Sequence, residues 1–303
     1  QVGAGEQHPA KLGQTFGDFR VIVVDDGSTD GGADRVPRDP RITLIHQNNE
    51  GPGAARNRGL RESAAPFISF LDADDEWLPT FLQTTLGLLN THPDCAAVGV
   101  SLFWGPEREN RVAKHESQGI CTGRWRCPVN LPFHQLKSAV DFCHSSAVLA
   151  RRDHIARLGG FYDRRRATYG EDSFLWLRLL MQQPIYRLLE PLIWFHTEHS
   201  ALGIGRRTPF PVPPILDHVE EVLGECPSSH RSLLRSYLDW YALMIAERLV
   251  EQGEGREALR LLGTLQHSAR DPETRWRYDR TRRRAWFWPV VRLRNAVRKH
   301  WTR

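Results

Sequence analysis

The sequence predicts an α/β fold: an open, mostly parallel sheet flanked by helices, with a C-terminal helical appendage. Three observations carry that reading. Phe19–Val24, Arg41–Ile45 and Phe67–Leu71 are short apolar or β-branched runs of the kind that form buried strands. The segment Ala54–Glu62 between the second and third reads as a helix, and strand–helix alternation points to a parallel layered sheet. Two of the strands run straight into carboxylates, Asp25-Asp26 after the first and Asp72, Asp74 and Asp75 after the third. Open α/β sheets bind their ligands just beyond the carboxyl ends of the strands.

The chain has 303 residues, 40% of them apolar, enough for one large α/β body and an appendage. Prolines from Pro209 to Pro214 mark a linker. They divide the chain into an α/β body over 1–208 and a helical region with a basic tail over 209–303. No apolar run approaches the ~18 residues that cross a bilayer, and Gln1–Phe19 lacks the basic-then-apolar pattern of a secretory signal. The five cysteines form no CxxC pair, so neither a disulfide framework nor a zinc site is expected, and a reducing, cytoplasmic setting is. The net charge of +5 is unevenly placed. Residues 270–303 hold twelve Lys or Arg against three Asp or Glu, a net +9, which leaves −4 for the rest. Such a tail suits an anionic surface, and no nucleic-acid partner is expected.

Taken in order, each acidic strand end has a chemical and a plain reading. Asp25 and Asp26, ahead of Gly27-Ser28-Thr29-Asp30, can accept hydrogen bonds from a base N–H or ribose hydroxyls; otherwise Asp26 or Ser28 caps a following helix. Gly51 and Gly53 permit tight backbone before the helix carrying Arg56 and Arg58, whose N-terminus favours an anion such as a diphosphate. The spacing is neither GxGxxG nor a Walker loop. Carboxylates crowded at Asp72, Asp74 and Asp75 repel unless a cation sits between them, and hard oxygen ligands suit Mg²⁺ or Mn²⁺. The plain alternative is a solvated turn capping the helix near Trp77-Leu78-Pro79.

Further on, Ala96–Leu102 is a strand, and Gly105–Asp141 an irregular insert whose Trp125 and Phe133 could shape an acceptor pocket. His144–Ala150 is a strand and Arg151–Leu158 a helix. Glu171 and Asp172 open an apolar helix, where the helix dipole favours negative charge, so plain capping is the competing role. Ile185–Phe195 is a last strand running into His196, and Ile215–Leu265 is helical.

Three of these stretches carry a resemblance. Val23-Val24-Asp25-Asp26-Gly27-Ser28-Thr29-Asp30, Gly51-Pro52-Gly53-Ala54-Ala55-Arg56-Asn57-Arg58-Gly59-Leu60 and Phe70-Leu71-Asp72-Ala73-Asp74-Asp75 resemble, in order and spacing, the family 2 glycosyltransferases of GT-A fold. The resemblance continues in Gly170-Glu171-Asp172 and its Leu-Trp-Leu-Arg helix. It implies an inverting, metal-dependent hexosyltransferase-type enzyme that moves a sugar from a nucleotide-diphosphate sugar, UDP-linked by family habit, to a hydroxyl of a saccharide or lipid-linked acceptor in polysaccharide or glycolipid synthesis. It implies nucleotide-sugar contacts at Asp25, Asp26, Gly53, Arg56 and Asp72, and Mn²⁺ or Mg²⁺ on Asp72 and Asp74 with help from His196. Asp172 takes the place of the general base.

The chain departs from that family at its start. Members open with a strand before the first helix, whereas Leu12–Phe19 reads as the end of that helix and nothing before it reads as the strand, so an unpaired sheet edge is expected. The rival function is therefore a non-catalytic, truncated relative that binds a membrane or partner. A sugar-phosphate nucleotidyltransferase fits less well, lacking a glycine-rich, lysine-containing N-terminal loop. Arg270–Arg303, with Trp286, Phe287 and Trp288, is expected to dock peripherally on the cytoplasmic face of an anionic membrane.

Overall fold

A computed structural model describes residues 13–198, 211–265 and 274–286. The first two β-branched runs form β1 (Val21–Asp26) and β2 (Ile42–Gln47), paired in parallel from Val21↔Ile42 to Asp26↔Gln47. Gly51 then adopts φ +94°, a backbone conformation that suits glycine alone, and Pro52 opens helix α1 (Pro52–Glu62) with its fixed φ. Next come β3 (Phe67–Ser69), β4 (Glu76–Trp77), α2 (Phe81–Thr91) and β5 (Ala97–Trp104). The expected irregular insert is largely regular: β6 (Glu109–Asn110), α3 (Val112–Ser117), β7 (Gly123–Trp125) and α4 (Phe133–Phe142). Its weak periodicity reflects short elements, of which β6, α3 and β7 bury no residue and α4 buries Leu136, Ala139, Val140 and Phe142. The stretch from His144 does not start as a strand. Ser145–Ala147 is a 3₁₀ turn, followed by β8 (Val148–Arg151), α5 (Arg152–Arg157), α6 (Glu171–Gln182) and β9 (Ile185–Phe195).

The α/β class holds, but the sheet expected to be mostly parallel is mixed. Its order is β3-β8-β5-β9-β4, with β6 on β5 and β7 on β9. Only β5–β9 is parallel; β3–β8, β5–β8 and β4–β9 are antiparallel. An apolar run reports burial, not strand sense, which the connections decide. β1 and β2 form a separate two-stranded sheet, so among the described residues β1 and β3 each keep one unpaired edge. The exposure follows: all six residues of β1 are only half-buried, whereas the first six of β5 are buried. Residues 13–20 are not the expected helix end. They are pinned by Gln14, whose amide donates to the Leu78 carbonyl (2.9 Å) and accepts from the Leu82 N–H (3.0 Å) at the start of α2.

The C-terminal region is helical as expected: α7 (Pro214–Asp217), α8 (Val219–Glu225), α9 (Arg231–Gln252) and α10 (Gly255–Leu262), with residues 274–286 a further helix. One hydrophobic cluster runs from Phe70 and Ala97 through Trp176 and Leu177 to Tyr237, Leu249 and Leu261, so these helices cover the same core as the sheet. Trp125 and Phe133 are spent on that core: Phe133 lies 5.6 Å from the Trp240 ring and Trp125 stacks on the Arg187 guanidinium at 4.8 Å. The boundary at 208/209 and the tail from 287 onward fall outside the described residues.

Candidate active site

β1 ends in two carboxylates that are already satisfied. Asp25 accepts from the Ser28 N–H (3.0 Å) and sits 2.9 Å from His46 Nδ1, and the Ser28 and His46 hydrogen bonds hold its carboxyl below the ordinary Asp range. Asp26 accepts from Gln47 Nε2 (2.8 Å) and from the backbone N–H groups of Glu50 (2.9 Å) and Gly51 (2.8 Å). It thereby braces the loop that leads into α1.

The loop after β3 is different. The Asp75 N–H donates to the Asp72 carbonyl (3.1 Å), closing a turn that brings the first and fourth residues together and leaves Asp74 between them. The antiparallel pairing Ser69↔Leu149 places the start of β8 beside the end of β3. Ser146, fully buried, accepts from the Asp72 N–H (3.2 Å) and donates to Asp75 Oδ2 (2.5 Å). His144 comes with it: its Nδ1 accepts from the Ser146 N–H (3.3 Å), lies 3.9 Å from Asp75 Oδ2, and its ring stands edge-on to Phe195. One ligand atom each of Asp72, Asp75 and His144 thus falls within 4.8 Å of the others.

Electrostatics mark this loop as incomplete. Asp75 is 1% exposed, burial pushes its carboxyl up to about 7, and its Oδ1 has no hydrogen-bond partner among the described residues. Burial and then the Asp72 charge raise the Asp74 carboxyl as well. Two carboxylates and an imidazole whose ligand atoms converge, one carboxylate keeping an unsatisfied buried oxygen, fit Mn²⁺ or Mg²⁺. The group that the geometry gathers shares one member with the metal set expected from sequence. Asp72 stays, but the group the geometry assembles contains Asp75 and His144 in place of Asp74 and His196. His196 has Nδ1 2.9 Å from Glu198 and Nε2 3.3 Å from Glu76, and with His144 it works against the upward shift of the Asp74 carboxyl. A turn gathers residues i and i+3, which spacing read as DxD does not anticipate, and His144 becomes a neighbour only through sheet pairing.

Arg56 ties this loop to α6. From α1 its Nη2 donates to Asp72 (2.6 Å) and its Nη1 to Glu171 (2.8 Å). Burial works against its charge, and Asp72 and Glu171 more than offset that, so its pKa is raised. Glu171 is buried; desolvation and the adjacent Asp172 charge push its carboxyl up. The next residue of α1, Asn57, donates to the Phe161 carbonyl (2.9 Å) and accepts from the Phe161 N–H (2.8 Å), fixing the turn that precedes α6. Asp172 makes only a local contact with its carboxylate, accepting from the Ser173 N–H at 2.7 Å and the Ser173 hydroxyl at 3.3 Å. Gly53 faces no open cradle: a Cβ there would lie 2.0 Å from the Tyr162 carbonyl oxygen, so it is a close-approach residue between α1 and the 161–163 turn. The structure therefore brings Asp72, Arg56, Glu171 and Asp172 into one chain of charges, with Asp25 and Asp26 on the separate β1–β2 sheet.

Comparisons with known proteins bear on the family and the fold. The family model described as Glycosyl transferase family 2 matches residues 10–159. A pre-mycofactocin glycosyltransferase of Mycobacterium tuberculosis is 35% identical over 171 residues, 54% of this chain and 34% of that protein. The succinoglycan biosynthesis protein ExoW of Rhizobium meliloti is 39% identical over 98 residues, 30% of this chain and 29% of that one. The chain thus spans about a third or less of the length of these curated relatives. In fold it is similar to S. aureus TarS 1–349 solved in complex with UDP-GlcNAc, with a TM-score of 0.59 at 15% identity over 93% of this chain and 86% of that one. The same TarS fragment with UDP gives a TM-score of 0.56 at 14% identity, again over 93% and 86% of the two chains.

Proposed function

The chain belongs to glycosyl transferase family 2 through residues 10–159, and on that premise we propose that it is an inverting, metal-dependent glycosyltransferase of the hexosyltransferase type. The observation that carries the reading is Arg56, which joins the acidic loop after β3 to the helix that presents Asp172. A single displacement needs both within one site, a carboxylate to take the acceptor hydroxyl proton and a cation-binding loop at the leaving group. Asp172, whose carboxylate accepts only from its neighbour Ser173 among the hydrogen bonds described, is the base. Asp72, Asp75 and His144 are the residues that would hold Mn²⁺ or Mg²⁺, with Asp74 beside them. Such an ion would neutralise charge developing on the departing diphosphate. Asp25 and Asp26 keep the nucleoside side of the site in shape, and Arg56 keeps Asp72 aimed. The TarS structures with UDP and UDP-GlcNAc favour a UDP-linked donor. The likeness to a succinoglycan biosynthesis protein favours a place in polysaccharide synthesis, and with it a saccharide acceptor.

One rival reading is a non-catalytic relative that keeps the fold for binding alone. Calorimetry of UDP binding with Mn²⁺ and with EDTA, beside UDP release from a panel of UDP-sugars, separates the two. The enzyme binds UDP only with metal and releases UDP from at least one donor. Equal UDP affinity with and without metal overturns the metal role, and metal-dependent binding without turnover on any donor and acceptor leaves the rival.

A further inference from the structure

The helix over residues 274–286 has two faces of different character. Its inner face is anchored: Thr281 and Ala285 are buried, and a Cβ on Gly255 of α10 would lie 2.7 Å from the Ala285 carbonyl. Arg277 reaches back to Glu247 of α9 through hydrogen bonds of 3.0 and 2.6 Å. Its outer face carries two of the three large hydrophobic residues described as exposed, Trp276 at 56% and Trp286 at 67%. Arg275, Arg280, Arg282, Arg283 and Arg284 are exposed with them, against one exposed acid, Asp279. At about 100° per residue the two indoles project within about 80° of each other. Asp279 and Arg283 lie between them, Arg275 and Arg282 on one flank, Arg280 and Arg284 on the other. Arg280 leans over the Trp276 ring at 5.2 Å.

We propose that this outer face docks the protein on an anionic lipid bilayer. Indoles prefer the headgroup boundary, where ring and N–H are both accommodated, and arginines on the flanks reach lipid phosphates while their stems stay over the apolar surface. The order of the residues follows that depth profile, with four arginines lateral to the two indoles and Arg283 beside Asp279 between them. A nucleic-acid backbone would recruit the arginines but leaves two widely spaced indoles on a straight helix without a partner. Because the inner face is tied to α9 and α10, the docked helix holds the whole molecule at a fixed attitude to the surface. The proposal stands on this helix alone and not on the enzymatic reading.

The test uses the full chain, with no sugar donor present. Flotation with phosphatidylcholine vesicles is compared with flotation on vesicles containing phosphatidylglycerol, for wild type, W276A/W286A and R280E/R283E. The wild type should float with the anionic vesicles alone, and less as salt rises. Each double variant should partition at least ~10-fold more weakly with an unchanged Tm, since the altered side chains are exposed. Vesicles with brominated acyl chains should quench wild-type tryptophan emission more than that of W276A/W286A. Absence of flotation, equal flotation of the variants, or equal flotation on neutral vesicles would overturn the proposal. So would transfer of vesicle-bound protein to duplex DNA at matched phosphate concentration.

Discussion

The two acidic loops answer the same composition in opposite ways. After β1, Asp25 and Asp26 gather five close polar partners from Ser28, His46, Gln47, Glu50 and Gly51, and the Asp25 carboxyl is held low. After β3, Asp72, Asp74 and Asp75 crowd one another, the Asp74 and Asp75 carboxyls are pushed up, and a buried oxygen of Asp75 has no partner among the described residues. The first loop is electrostatically complete as it stands. The second is complete only with added positive charge, part of which Arg56 supplies to Asp72. The lesson is that carboxylates at strand ends are not equivalent. Whether backbone N–H groups reach them decides between brace and binding site.

The largest expected effect tests the second loop. Asp75→Asn should weaken Mn²⁺ binding by about 100-fold or more, beyond what a neighbouring change costs, and Asp74→Asn should weaken it less. Manganese paramagnetic resonance on the two variants reads this directly, and the reverse order would return the metal to a DxD pair. Next, Asp172→Asn should lower turnover by ~10²-fold or more while donor affinity holds, the scale of a lost general base. Wild-type turnover in steady-state assays would leave Asp172 as a helix-start carboxylate. Asp26→Ala tests the first loop. Losing an acceptor shared by three donors should cost about 2–3 kcal/mol in urea unfolding, and an unchanged midpoint would mean that Asp26 braces nothing. The smallest effect is the pH response of Asp25. Its folded pKa is depressed, so its contribution is present above the unfolded value near 3.8 and is lost as pH falls through the folded value. Carboxyl carbon NMR should show Asp25 titrating below 3.8, and Asp25→Asn should flatten the acid limb of the stability profile slightly.

By itself the sequence determined the elements whose signal is local. β-branched runs gave β1 and β2, apolar runs gave β5 and β9, the segment from Ala54 gave α1, whose first turn starts at Pro52, and apolar spacing gave α6 and the C-terminal helices. It also determined that carboxylates would stand at strand ends, because Asp is depleted within strands. It marked Asp72, Arg56 and Asp172 as members of a site, whereas Glu171 joins them through Arg56. Only the tertiary structure decided how they meet. The mixed strand sense, the gap between the β1–β2 pair and the larger sheet, and the regularity of residues 105–142 depend on connections that no local pattern encodes. His144 and Ser146 lie about seventy residues from the acidic loop and reach it because β8 runs antiparallel to β3. Asp75 replaces Asp74 in the group because a turn closes between Asp72 and Asp75. Gly53 serves packing because the Tyr162 carbonyl arrives from over a hundred residues away. Residue type sets what a side chain can do, while its partners, and hence its charge and role, are set by which distant backbone the fold brings within hydrogen-bond reach.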